Sequence, residues 1–239
     1  MDSYLTKFNA VSALIKSSKH SKIISTIDGL KEHGVDYFPF SVENIKGMSG
    51  YTLPADLFGG IDVSGFHLNW HYEINKLKKG GGEFNLRDFL LVFCAENSEL
   101  QSKNDPSEIG AIKHQLSVID EHPETGDDQF AAFRLEGPDK MPPEIWYWNR
   151  GVIFKMNLTY SGYLDALLDL KGINYWHFLF VDIITNEYYG KYYDKTEYKH
   201  ICDSLNEKIN DLEFLFPNVD YLKYKQKLVE LNKKVEMMK

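Results

Sequence analysis

Apolar and polar residues alternate most regularly along Gly65-Phe66-His67-Leu68-Asn69-Trp70-His71-Tyr72-Glu73-Ile74. Phe66, Leu68, Trp70, Tyr72 and Ile74 fall on one side of a β-strand and His67, Asn69, His71 and Glu73 on the other, so the pattern predicts an aromatic strand laid on a core. Glu83-Phe84-Asn85-Leu86-Arg87 alternates again, and the stretch ending in Gly80-Gly81-Gly82 reads as the connection of an antiparallel hairpin. Two further strands are expected at Leu116 to Ile119 and Phe130 to Leu135, flanking an acidic turn from Asp120 to Asp128. Ile145 to Trp148 and Val152 to Met156 enclose Asn149-Arg150-Gly151, whose Asn and Gly tolerate the positive φ of a tight hairpin.

Elsewhere the period is helical. Leu5, Phe8, Val11, Leu14 and Ile15, followed by Ile23, Ile24 and Ile27, predict one or two helices over 3–30. Ser41 is placed to cap a short helix, and Pro54 to start another that Gly59-Gly60 ends. Tyr160, Tyr163, Leu164, Leu167 and Leu168 share a helical face, with Gly172 as the stop. Tyr198, Ile201, Leu205, Ile209, Leu212 and Leu215 form one terminal stripe, and beyond Pro217 Leu222, Leu228, Leu231 and Val235 form another. The element order predicts an α+β fold: a curved, mainly antiparallel sheet with helices packed at one side, plus N- and C-terminal helical extensions. The expected organisation is a helical extension over 1–35, an α+β domain over 36–194, and C-terminal helices over 195–239 packed on the same domain.

Composition narrows the function more than the fold. A hydrophobic fraction of 43% with 14% aromatics excludes a disordered chain. Cys94 and Cys202 lie far apart in apolar or helical surroundings, which reads as buried free thiols in a reducing compartment. Residues 1–22 have no continuous apolar run ending in a cleavage site, and no stretch approaches a membrane span, so a cytoplasmic location is expected. From Glu83 to Glu144 there are 14 acidic residues against 5 basic ones, a sign that opposes nucleic acid and suits a basic protein partner.

Leu53-Pro54-Ala55-Asp56-Leu57, Gly65-Phe66-His67-Leu68-Asn69-Trp70, Trp146-Tyr147-Trp148, and Tyr163-Leu164-Asp165-Ala166-Leu167-Leu168 through Gly172 to Trp176 together resemble the SUKH superfamily. That family includes the fungal cell-wall-synthesis regulator and bacterial proteins that neutralise polymorphic toxins. The resemblance covers about Asp36 to Phe180; the segment 55–63 is shorter than the family's usual helix, and both terminal extensions lie outside it. It implies a non-enzymatic protein-binding role, most simply a bacterial immunity protein that neutralises a cognate toxin, without catalytic residues, metal or cofactor.

The candidate chemistry is sparse. His67 and His71 would stand about 13 Å apart along a strand, too far to share one ion, and His71 with Glu73 lacks a third ligand. A metal-dependent or small-molecule enzyme using His67, His71 and Glu73 is the alternative function, alongside a general regulatory scaffold. Gly80-Gly81-Gly82 lacks the Lys-Ser/Thr of a phosphate loop. The expected partner surface comprises the acidic turn, Asp120, Glu121, Glu124, Asp127 and Asp128, with Trp146 and Trp148 as aromatic anchors unless the chain's own helices cover them.

Overall fold

Among the described residues seven strands run in chain order, each antiparallel to the next: β1 (Ser21–Ile27), β2 (His67–Ile74), β3 (Lys78–Leu86), β4 (Leu116–Glu121), β5 (Gln129–Arg134), β6 (Glu144–Asn149) and β7 (Val152–Lys155). The computed structural model describes residues 3–27, 42–94, 107–124, 128–183 and 193–238. The helices are α1 (Tyr4–Ser17), α2 (Val42–Ser49), α3 (Phe58–Asp62), α4 (Phe89–Cys94), α5 (Ser107–His114), α6 (Tyr160–Leu170), α7 (Lys195–Leu215) and α8 (Leu222–Met237). This is the α+β class that the alternation predicts, with an open antiparallel sheet.

The main core lies on one face of the sheet. Trp70 and Tyr72 of β2, Phe84 and Leu86 of β3, Ala131 and Phe133 of β5, and Tyr147 of β6 meet Phe8 of α1, Tyr163 and Leu167 of α6, and Leu205 and Leu212 of α7. Helix α7 and the end of α6 are tied to the sheet by polar contacts as well. Tyr72 donates to Asp211 of α7 at 2.9 Å, and Trp70 Nε1 donates to the Lys171 carbonyl at 2.8 Å.

A second, smaller core forms on the opposite face of β4–β7. Trp146, Trp148, Phe130, Ala132 and Ile153 pack there with Ile112 of α5, and the Lys113 ammonium lies 4.6 Å from the Trp148 ring centroid. Trp146 and Trp148 are therefore covered at 4% and 8% exposure and do not form an open aromatic anchor. The covering element is α5, one of the chain's own helices.

Three expectations about local structure need correction. The stretch Ile23 to Ile27 is the edge strand β1, paired with β2, where a second helix was expected. Its β-branched run favours the pleated surface, and a bulge between Ile23 and Ser25 turns Ile24 outward. The segment 1–35 is therefore not purely helical; its residues 28–35 lie outside the described residues. Gly59 and Gly60 do not stop a helix but lie within α3. Gly80 to Gly82 belong to β3, opposite Trp70 to Tyr72, and the hairpin turns instead at Asn75 and Lys76, whose φ values are 53° and 57°.

Gly82 of β3 is needed because another backbone lies against it. β3 and β4 pair only through Asn85 with Glu121 and Leu86 with Asp120. Where they part, the end of α6 comes in: Glu83 N–H donates to Gly172 O at 3.0 Å, and Gly82 bridges Ile173. A Cβ on Gly82 would lie 2.2 Å from the Lys171 carbonyl oxygen, and one on Gly172 2.3 Å from the Glu83 oxygen. Gly172 also has φ +67°, which disfavours any side chain.

Gly172→Ala is therefore expected to lower stability by about 2 to 4 kcal/mol through overpacking and backbone strain together. Gly47→Ala, in α2 with nothing within 4 Å of the added carbon, should change it by less than about 1 kcal/mol and in the stabilising direction. Urea unfolding of the two variants beside the parent chain checks both.

Candidate functional site

Two groups of ionisable side chains collect where β3 and β4 part. The inner group faces the main core. A bulge between Val118 and Asp120 shifts the register of β4, so that Asp120 pairs opposite Ala131 and points inward with Ile119. Asp120 is fully buried, which corrects its placement in an exposed acidic turn. Its carboxylate accepts from the Asn85 N–H at 2.8 Å and from the Tyr163 hydroxyl of α6 at 2.6 Å.

His122 and His177 complete this group. His122 follows Asp120 by two residues and is buried at 5% exposure. His177, in the 3-10 helix Trp176–Phe180, has its Nε2 3.3 Å from the Tyr163 hydroxyl and stacks on Tyr147 at 4.2 Å between ring centroids. One donor atom from each of Asp120, His122 and His177 lies within 4.8 Å of the others.

Burial sets the charge states. Desolvation pushes the Asp120 carboxyl up to about 7, since the bonds from Tyr163 and Asn85 offset only part of the loss of water. Desolvation likewise drops His122 to about 4, and together with neighbouring His122 holds His177 well below the usual imidazole value. Both imidazoles are thus neutral at pH 7.

The outer group lies on the other side of the sheet. His67 Nε2 is 2.9 Å from Ser25 Oγ and 3.9 Å from Glu124 Oε1. Asn69 donates to the second oxygen of Glu124, and the Glu124 N–H donates to the buried Glu83 carboxylate at 3.0 Å. His67, Glu83 and Glu124 also bring donor atoms within 4.8 Å of one another. A cavity of about 350 Å³ opens beside them, lined in part by Asn69, His71, Asn174 and Gly80 to Gly82.

The sequence-predicted residues are therefore divided. Glu121 is half-buried and pairs with Arg87 at 2.8 Å, also accepting from Asn85 at 2.9 Å. Glu124 and Asp128 are exposed, and Asp128 accepts from Trp148 Nε1 at 2.8 Å. Asp127 lies outside the described residues. His71 and Glu73 are exposed, but His67 is buried at 5%, so the polar row of β2 is not solvated throughout. Cys94 is exposed rather than buried, and Cys202 is buried; neither forms a disulfide.

Glu83, His122 and His177 carry no role in the sequence reading. Asp120 and His122 offered one signal, since residues two apart on a strand share a face. Comparison with protein-family models, characterised proteins and solved structures found no match.

The charge states give opposing pH dependences. Below about 6.5 the unfolded chain takes up protons on His122 and His177 that the fold refuses, so stability is lost as pH falls toward about 4. Asp120 acts oppositely: between about 4 and about 7 the fold keeps a proton that the unfolded chain releases, so its contribution weakens as pH rises. With chelator present, Asp120→Asn should therefore steepen the loss of stability from pH 6.5 to pH 4.5, and His122→Gln should flatten it. Urea midpoints across that pH range are the check.

Proposed function

We propose that the protein is a non-enzymatic protein-binding module acting on a basic partner, and that it serves as a bacterial immunity protein against a toxin domain. The observation that carries this reading is the fixed presentation of two carboxylates at the exposed end of β4. Glu121 is held by Arg87 and Asn85, and Glu124 by Ser25 and Asn69. A carboxylate already ordered loses little conformational freedom on binding, and a negative rim speeds encounter with a positive surface. The local excess of acidic residues and the SUKH resemblance support the same reading, and a cytoplasmic location accords with the two free thiols. Among the described residues, no helix is long and apolar enough to cross a membrane.

One observation favours a second reading. His67, Glu83 and Glu124 adjoin a cavity through Asn69, which would suit a small-molecule site whose residues differ from the exposed His71 and Glu73. Partner binding is preferred because the donors of this group are already engaged by Ser25, Asn69 and the Glu124 amide.

Co-expression with the product of the adjacent gene should rescue growth and give a complex that copurifies. Glu121→Lys combined with Glu124→Lys should slow association by about tenfold or more at low salt and leave dissociation less affected. Neither rescue nor complex formation, or an association rate indifferent to both charge and salt, would remove the support for this function.

A further inference from the structure

We infer that Asp120, His122 and His177 bind one divalent transition-metal ion, with zinc the best fit to two imidazoles and a carboxylate. Calcium and magnesium favour oxygen-only shells, whereas zinc accepts neutral imidazole nitrogen alongside carboxylate oxygen. The spacing suits an ion. Three donors bound tetrahedrally at about 2.1 Å stand about 3.4 Å apart, and those of this group already lie within 4.8 Å of one another. A movement of less than about 1 Å from each side chain closes the site.

A second observation points to a missing ligand. His122 Nε2 and His177 Nδ1 are buried without a hydrogen-bond partner. Leaving such groups unsatisfied is costly, and a bound cation would occupy an imidazole lone pair directly. The surroundings also resemble an outer coordination shell. Asp120 is oriented by the Asn85 N–H and the Tyr163 hydroxyl, while His177 is fixed between Tyr147 and Trp176, each at 4.2 Å. Hydrogen bonds and stacking of this kind set the direction of ligating groups before the ion arrives.

All three ligating residues are buried, so the ion would sit inside the fold and tie together the elements that supply them. The ion would join the end of β4 to the 3-10 helix Trp176–Phe180. Because His122 stands two residues before Glu124, that link would also fix the start of the acidic turn. The inference does not depend on the partner-binding reading; the metal would be present with or without a partner.

The test uses the full chain after chelator treatment and dialysis. Titration with Co²⁺ should show uptake of about one equivalent, with a visible absorption band from nitrogen and oxygen ligation, displaced by Zn²⁺. His122→Gln and His177→Gln should weaken uptake by at least about tenfold, while His67→Gln, in the outer group, should leave it unchanged. Should the buried variants fail to fold, the unsubstituted chain with ¹⁵N-labelled histidine decides. Of its eight imidazoles, two should shift on addition of Zn²⁺. Absence of stoichiometric uptake, unmoved histidine signals, or uptake lost in His67→Gln and retained in His122→Gln would each overturn the proposal.

Discussion

Strands β3 and β4 are joined at Asn85 with Glu121 and Leu86 with Asp120, and then they part, so the groups beyond must find partners other than a neighbouring strand. Buried backbone N–H and C=O groups are rarely left unpaired, and the remedy here comes from two directions. The end of α6 supplies the Gly172 carbonyl to Glu83 N–H, at a separation only glycine permits. From the other side, Glu83 turns its carboxylate to the Glu124 N–H. The parting thus brings a charged side chain into the interior and sets a helix terminus against the middle of the sheet.

The same parting explains why polar groups gather where an apolar core would otherwise be continuous. Asp120 sits one position before the last pair and binds Asn85 of β3 and Tyr163 of α6, so one carboxylate links two strands and a helix. His122 continues inward from it, while Glu121 and Glu124 turn outward to Arg87, Asn69 and Ser25. Interior and rim are therefore mechanically coupled. Asp120 and His122 lie four and two residues before Glu124, so the buried network and the exposed carboxylate share one short stretch of backbone.

Much of this was legible in the sequence, and the limits have physical causes. The alternation of Phe66 to Ile74 identified β2, its core face and the hairpin that follows, because a strand on a core imposes period two. The same period places Trp146 and Trp148 on the face opposite Tyr147, as the two cores show. The spacing of Ile23, Ile24 and Ile27 was compatible with a helix, and only pairing with β2 made it a strand. Asp120 was misplaced for a different reason. The charged run from Asp120 reads as a turn that ends the strand at Ile119, but β4 continues to Glu121, and the bulge at Ile119 sends Asp120 to the face opposite Val118. The glycine triplet reads as a loop because what demands small residues there, the Tyr72 ring at Gly80, the Trp70 carbonyl at Gly81 and the Lys171 carbonyl at Gly82, is set by pairing and packing rather than by local sequence. His177 likewise joins Asp120 only through the packing of α6 and the 3-10 helix after it.

In the proposed function the interior polar network is scaffold, and the rim around Glu121 and Glu124 meets a protein partner. Hydrogen–deuterium exchange of the chain with and without the product of the adjacent gene distinguishes that surface from the others. Partner-dependent protection is expected at Arg87 and over 121–128, with the Trp146 and Trp148 face beneath α5 unchanged. Protection confined to the α5 face or to the terminal helices, or no change anywhere at saturating partner, would contradict it.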